Sequence, residues 1–204
     1  VSALATPQSI FDTHEHIHVV SPDVVDYIQS ISKSYLEEYQ LARRYLSEYS
    51  RSQDTYNTYR TEIERLLQWA WLTQSMSIQE IDRHHVFEYI QFFESPPKSW
   101  FMQKRLHRFI VCEGIRIPNP DWRPFLVRPK HFKFTSATKK TMLSVLSSFF
   151  SFLVEESFIN RNPIFSIRQK RQLIQSKHEA SVHKQLNAEQ WLTVIGVIEA
   201  QAES

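Results

Sequence analysis

The stretch SATKKTMLSVLSSFFSFLVEE, residues 136–156, decides the fold because it combines a helical apolar period with polar residues that suit a helix start. Met142, Val145, Leu146, Phe149 and Leu153 recur at intervals of three and four residues, which places them on one face of an α-helix. This apolar face is wide, so the pattern predicts a central helix with neighbours on more than one side.

Three further helices are predicted upstream from the same periodicity. One spans residues 34–49, one spans 53–73, and a third begins after Asp82, a residue type that caps helix N-termini, and ends at Pro96-Pro97. Their predicted buried positions are Tyr35, Tyr39, Ala42, Leu46 and Tyr49, then Tyr59, Ile63, Leu66, Leu67 and Ala70, then Val86, Tyr89, Ile90 and Phe93.

Glycine is scarce, since Gly114 and Gly196 are the only two in 204 residues. Phosphate-binding loops need closely spaced glycines, so the composition excludes P-loop and Rossmann-type nucleotide sites. Short β-hairpins also favour glycine at their turns. The composition therefore predicts an all-α fold.

Residues 95–134 interrupt the helical pattern with six of the nine prolines, two tryptophans and nine Lys or Arg residues. Within this inserted segment, Trp100 to Val111 is predicted to form a short basic helix. Its inward residues would be Phe101, Leu106, Phe109 and Ile110. The stretch from Ile117 to Phe125 contains three prolines and is predicted to be an ordered loop held by its aromatic residues.

The chain is predicted to have four parts. Residues 1–33 form an N-terminal extension, flexible at first and then a short helix near Val24–Ile31, and residues 34–165 form the helical domain. Residues 166–185 are polar and basic and read as an interdomain linker. Residues 186–204 begin with the capping signature Asn187-Ala-Glu189 and are predicted to be the first helix of a truncated further domain.

The number of cysteines and the length of the apolar runs indicate in which cellular compartment the protein resides. Cys112 is the only cysteine, so no internal disulfide is expected. The sequence shows neither a signal peptide nor an apolar run long enough for a membrane span. We therefore expect a soluble, cytoplasmic protein with no membrane partner.

Charge is unevenly distributed along the chain. Residues 1–97 carry 7 Lys or Arg against 14 Asp or Glu, whereas residues 98–184 carry 17 against 5, a net charge of +12. A basic block of this size is typical of proteins that bind a polyanion, because clustered cations release counterions when they meet phosphate. A basic surface without any partner is the simpler interpretation.

Three motifs follow one another along the predicted helices and point to a known family. They are Ser52-x-x-Thr55-x-x-x-Tyr59 with Leu67-Gln-Trp69, then Leu146-x-x-Phe149-Phe150-x-Phe152-Leu153, then Asn162-Pro163. Over about residues 35–195 the chain resembles the N-terminal core-binding domain of tyrosine recombinases, the phage-integrase family. The segment Pro118 to Phe125, preceded by Trp100, is similar to an insertion in a subgroup of bacterial and mobile-element integrases. Ser157 departs from the pattern, because many relatives have glycine there.

The resemblance implies an orthogonal, SAM-like bundle of four to five helices that grips duplex DNA at a core recombination site during DNA integration or excision. It implies double-stranded DNA and other recombinase protomers as partners, with the helix over 34–49 as the protomer contact, and no cofactor. The Arg, Lys, His and Tyr residues that cleave DNA in the family have no counterparts in residues 1–204. This chain alone is therefore not expected to be an enzyme, and the family resemblance places it on the bacterial nucleoid.

DNA contacts are predicted at the starts of the helices over 53–73 and 136–156, in the inserted segment and in the linker. Helix N-termini favour phosphate, and clustered cations follow the DNA backbone. The predicted DNA-binding residues are Arg51, Ser52, Thr55, Tyr56, Arg60, Lys104, Arg105, Arg108, Thr138, Lys139, Lys140, Arg168, Lys170 and Arg171.

Two other functions remain open at the level of sequence. One is a helical protein-interaction module whose basic surface binds acidic partners. The other is a fragment of a metal-dependent hydrolase, because His14-x-His16 at a strand end is a metal-binding pattern. A hydrolase of that kind needs alternating strands and helices, which this sequence does not show, so we expect no catalytic residue and no metal site.

Overall fold

The computed structural model describes residues 6–127 and 134–165. Five helices and four short strands occur in this part of the chain. The helices are α1 (Pro22–Ile31), α2 (Tyr35–Ser47), α3 (Gln53–Gln68), α4 (Arg83–Glu94) and α5 (Ser136–Glu155). The strands are β1 (Phe101–Met102), β2 (Phe109–Cys112), β3 (Ile115–Pro118) and β4 (Phe125–Leu126).

The predicted helices are confirmed at α2, α3, α4 and α5. Helix α5 packs on α3 and α2, and Phe149 and Leu153 on its apolar face are fully buried. Helix α3 continues as a π-helical turn over Trp69–Gln74. Asp82 caps α4 as predicted, because its carboxylate accepts hydrogen bonds from the backbone N–H groups of His84 and His85.

The all-α prediction is wrong, because the inserted segment contains two small sheets. Strands β2 and β3 form an antiparallel hairpin, and β1 pairs in parallel with β4. The helix predicted from Trp100 to Val111 is absent: the strand β2 takes its place, and Ile110, predicted to be buried, is 37% exposed. Helical spacing in so short a run does not outweigh consecutive aromatic and β-branched residues, which favour a strand.

The turn of this hairpin explains one of the two glycines. Glu113 and Gly114 connect β2 to β3, with φ values of 52° and 80°. Two successive residues with positive φ are typical of the tight turns that join antiparallel strands. Strand β3 also includes Ile117 and Pro118, so the irregular stretch predicted from Ile117 begins two residues later.

The N-terminal segment is part of the core. The short helix expected near Val24–Ile31 is confirmed as α1, but the flexible start expected before it is wrong for the described residues 6–21. Ile10, Phe11 and Ile17 are buried in the same apolar cluster as the helices. Residues 8–12 run along α3 and are held there by side chains of that helix.

The chain folds back onto α5 after the helix ends. Ser157 adopts a left-handed conformation, with φ at 58°. The amide of Asn162 donates hydrogen bonds to the carbonyl of Ser147 and the hydroxyl of Ser151, at 2.8 and 3.0 Å. The Asn162-Pro163 motif therefore anchors the chain against the central helix.

The linker predicted over 166–185 and the helix predicted over 186–204 lie outside the described residues. In the part of the chain that the structure describes, none of the helices has the length and apolar character to cross a bilayer.

Candidate nucleic-acid interface

A polar cleft of about 610 Å³ lies between α3, the inserted segment and the start of α5. Asn57, Thr58 and Thr61 line it from α3, and Thr138 lines it from α5. The wall formed by the inserted segment carries Arg105, His107, Arg108, Arg116 and Trp122. The cleft therefore brings together the two helices and the basic insert that sequence reasoning assigned to DNA.

The α3 side of the cleft presents hydroxyl and amide groups. The hydroxyl of Thr58 donates to the carbonyl of Asp54 at 2.9 Å, and that of Thr61 donates to the carbonyl of Asn57 at 2.7 Å. These bonds hold both hydroxyls against the helix. The oxygen of Thr58 can still accept a hydrogen bond, whereas that of Thr61 already accepts one from Arg108 at 3.1 Å. Asn57 accepts a hydrogen bond from Arg60 at 2.6 Å, which fixes its side-chain oxygen.

Two predicted DNA contacts on α3 have a structural role instead. Tyr56 is fully buried, and its hydroxyl donates to the backbone carbonyl of Asp12 at 2.9 Å. Arg60 is also buried and donates to the same carbonyl at 2.5 Å. Burial lowers the pKa of Arg60 from its ordinary value. Both side chains are held beneath the N-terminal segment and are not part of the exposed basic surface.

Two further predicted contacts, Arg108 and Lys139, are neutralised by carboxylates. Arg108 forms an ion pair with buried Glu64 and lies over the ring of Trp122, with 4.4 Å from the guanidinium carbon to the ring centroid. Lys139 is buried and pairs with Glu94 at the end of α4. Their charges stabilise the fold, so neither is free to bind phosphate.

The other predicted contacts in the described residues lie at the surface. Lys104, Arg105 and Lys140 are exposed, and none of them has a carboxylate partner in the described parts of the chain. Arg51 and Ser52 are exposed at the start of α3, where the Ser52 hydroxyl donates to Thr55 at 2.9 Å. Arg168, Lys170 and Arg171 lie outside the described residues.

The start of α5 is partly closed by its own cap. Thr135 is the N-cap residue, and its hydroxyl oxygen accepts from the backbone N–H of Thr138 at 3.1 Å. This bond uses one of the N–H groups that the sequence assigned to phosphate. Phosphate contact at this helix start would therefore depend mainly on Lys140.

The cleft is braced by an acidic and a basic residue that sequence reasoning did not single out. Glu62 is buried and accepts from Arg65 at 3.0 Å, and Arg65 also donates to the carbonyl of Pro124 at 2.9 Å. Burial raises the pKa of Glu62, although the charge of Arg65 opposes this rise. The spacing of three residues between them on a helix is the signal that predicts such a pair.

The histidine motif near the N-terminus does not form a metal site. Asp12 makes a two-pronged ion pair with Arg116, with bonds of 2.7 and 2.6 Å, and Thr13 bonds to Nδ1 of His16 at 2.9 Å. Burial raises the pKa of Asp12, but the bonds from Arg116 and Thr13 outweigh burial and hold the pKa below its ordinary value. Across residues 6–127 and 134–165, no cluster of three or more potential ligands occurs.

Comparisons of the chain with protein-family models, curated proteins and solved structures found no match. Function is therefore inferred from the cleft and its charges. The cleft joins hydrogen-bonding groups on a rigid helix to exposed cations on the adjacent insert, which is the combination that a nucleic-acid surface requires.

Proposed function

We propose that this chain grips duplex DNA as the DNA-binding part of a site-specific tyrosine recombinase that acts in DNA integration or excision. The observation that carries the proposal is the cleft, where Asn57, Thr58 and Thr61 of α3 share one concave surface with Arg105 of the insert. Arg105 is exposed, and so is Lys104, which precedes it in the sequence. The motif resemblance over residues 35–195 supports the recombinase assignment.

The two sides of the cleft suit the two parts of DNA recognition. Arg105 in the cleft, with exposed Lys104 before it in the sequence and exposed Lys140 two residues after Thr138, would neutralise phosphates, which supplies affinity without sequence preference. Hydroxyl and amide groups such as those of Asn57 and Thr58 can accept or donate hydrogen bonds at base edges in the major groove. Because these groups lie on a helix braced by the core, they would meet the DNA with little loss of side-chain freedom.

The proposal assigns no strand cleavage to residues 1–204. In the resembling family the cleaving residues belong to a separate domain, so the parent protein would supply them elsewhere and other protomers would complete the assembly. DNA binding by this chain is thus the activity that an experiment should measure.

The experiment is a fluorescence-anisotropy titration of the 204-residue chain against labelled duplexes from the DNA flanking its own gene, at several salt concentrations. The variant is Lys104→Ala combined with Arg105→Ala. Each lost phosphate contact lowers the slope of log affinity against log salt by about 0.9, so the double variant is expected to lower it by roughly 2. Lys33→Ala is the matched control, because this exposed lysine lies between α1 and α2, outside both the insert and the lining of the cleft.

Preference for one segment over shuffled duplex, with Asn57→Ala reducing that preference, would support the proposal. Equal binding to every duplex and to heparin would instead support an interaction module with a generally basic surface. An unchanged salt slope in the Lys104 and Arg105 variant would show that the cleft is not the DNA surface.

A further inference from the structure

A second, apolar cavity adjoins the cleft and shares part of its wall. It has a volume of about 260 Å³ and is lined by Ile10, Phe11, Ile17, Tyr39 and Phe109 among others. Aliphatic side chains at its rim are strongly exposed: Val19 is 67% exposed and Ile115 is 63% exposed. An apolar cavity with an apolar rim is typical of a protein contact rather than of a solvated surface.

The β2–β3 hairpin beside this cavity is itself apolar and exposed. Val111 is 64% exposed, and the two strands pair only with each other among the described residues. Strand β2 contains no charged residue, and its sequence is Phe-Ile-Val-Cys. An exposed, uncharged edge strand is a surface that proteins normally cover.

Opposite charges lie at the hairpin tip and in the cavity wall. Glu113 is exposed at the tip and has no cationic partner in the described part of the chain. Arg43 lines the cavity from α2, where it donates to the carbonyl of Ile17 at 2.7 Å, and it has no carboxylate partner among the same residues. One molecule thus carries both halves of an ion pair that it does not form itself.

We propose that a second copy of this chain covers this face, and that each copy inserts its hairpin tip into the apolar cavity of the other. Val111 of one protomer would enter the cavity of its partner, whose rim carries the partner's Ile115, and Glu113 would reach Arg43 across the interface. One surface patch of the chain contains both the hairpin tip and the cavity that would receive the tip of the other copy. Two copies can therefore form both contacts at once through the same patch, which is the arrangement of a two-fold symmetric dimer.

The proposal needs no DNA and does not depend on the proposed function. A variant that loses DNA binding but still dimerises, or one that loses dimerisation but still binds DNA, would separate this proposal from the proposed function. Covering the exposed valine and isoleucine side chains with a second copy removes apolar surface from water, which favours association.

The test is the oligomeric state of the full 204-residue chain, measured by sedimentation velocity over a range of concentrations. We expect a monomer–dimer equilibrium for the native sequence. The single variants Glu113→Arg and Arg43→Glu each place like charges across the interface, so each is expected to weaken the dimer at least tenfold.

Mixing the two weakened variants gives the decisive result. In a mixed dimer, Arg at position 113 meets Glu at position 43 on one side, and native Glu113 meets native Arg43 on the other. The mixture is therefore expected to recover native affinity, which a pair within one molecule would not allow. Recovery also shows that both variants are folded.

A second pair of variants tests the apolar contact. Val111→Lys is expected to weaken the dimer at least tenfold, whereas Val127→Lys, an exposed valine outside the hairpin, is expected to leave it unchanged. A native chain that stays monomeric at millimolar concentration would overturn the proposal. A dimer that resists Glu113→Arg and Val111→Lys, or variants that fail to recover on mixing, would overturn it equally.

Discussion

Ser157 is a single residue whose backbone conformation is strained. It ends α5 with φ at 58°, and Phe158 donates to the carbonyl of Leu153 at 2.9 Å, as in a helix end closed by a left-handed residue. A side chain in this conformation costs about 1 kcal/mol relative to glycine. Ser157→Gly is therefore expected to raise the free energy of unfolding by about 1 kcal/mol, measured by urea denaturation.

Ser144→Gly is the matched control for this change, because Ser144 is exposed in the middle of α5. There glycine lowers helix stability by about 0.5 kcal/mol relative to serine. The same chemical substitution should thus change stability in opposite directions at the two positions. A loss of stability at both would show that the left-handed conformation is not a source of strain.

Glu38 is a buried acid whose ionisation should oppose folding. One of its carboxylate oxygens accepts from the indole N–H of Trp71 at 2.7 Å and from the backbone N–H of Ile78 at 3.2 Å. Burial raises the pKa of Glu38 despite these bonds. Because the folded state holds the proton more tightly, the stability from this group is present below the unfolded pKa and is lost as pH rises through the folded pKa.

Glu38→Gln keeps an oxygen that can accept both bonds but removes the ionisation. The variant is therefore expected to gain stability over the native chain as pH rises from 4 to 8 in urea denaturation. Glu48→Gln, at an exposed glutamate just after α2, should show no such trend. Parallel stability curves for Glu38→Gln and the native chain would rule out this role for burial.

Single charged residues are also where sequence reasoning reached its limit. Lys104 and Arg105 were predicted as DNA contacts, and both are exposed. Arg60, Arg108 and Lys139 could not be separated from them, because their partners at Asp12, Glu64 and Glu94 are distant in sequence. Charge counts record a basic block but not which of its charges are neutralised within the fold.

At the scale of the element, helices were predictable and the inserted strands were not. The apolar period of α5 extends over 20 residues, so local sequence alone determines its buried face. Strands β2 and β3 are four residues each, too short for a clear period. The sequence signal for this hairpin was Gly114 between two short runs that contain β-branched residues. It was missed because the overall scarcity of glycine argued against strands.

Helix α3 holds the N-terminal segment through polar side chains spaced four residues apart. Tyr56, Arg60, Glu64 and Gln68 fall on one stripe of this helix, as the helical repeat requires. Gln68 both accepts from and donates to the backbone of Gln8, at 3.0 and 2.8 Å. The stripe supplies the hydrogen-bonding partners that a neighbouring strand would otherwise provide.

Glu64 is the centre of this stripe. Its carboxylate accepts from the backbone N–H of Ile10 at 2.7 Å and pairs with Arg108. Glu64→Ala would leave the guanidinium of Arg108 without its carboxylate and the N–H of Ile10 without its acceptor, so it is expected to cost about 3–5 kcal/mol of stability. Glu37→Ala on exposed α2 surface should cost less than about 0.5 kcal/mol. Equal effects of the two substitutions in urea denaturation would refute a clamping role for Glu64.

The described part of the molecule is built around one core. The N-terminal segment, the helices and three aromatic residues of the insert, Trp100, Phe109 and Phe125, share a single apolar cluster, in which Phe125 contacts Phe93 of α4 at 6.0 Å between ring centroids. Two cavities adjoin each other on the outside of this core and share Asp12, Phe109 and Arg116 in their walls. The cleft faces the insert and α3, whereas the apolar cavity opens between the hairpin, α2 and the segment before α1.

A shared core means that a change at the N-terminus should destabilise every part of the described structure. Phe11 is buried and stacks on Tyr39 of α2, with 5.5 Å between ring centroids. Phe11→Ala is expected to cost about 3–5 kcal/mol, as for a large side chain removed from a packed interior. Unfolding followed by the fluorescence of the five tryptophans, two of which are the buried Trp69 and Trp71, and by far-UV circular dichroism should shift to the same lower urea midpoint. Val19→Ala, at an exposed position eight residues after Phe11, should leave both midpoints unchanged. If the helices of Phe11→Ala instead unfolded at the native urea midpoint in circular dichroism, the N-terminal segment would be a separate extension.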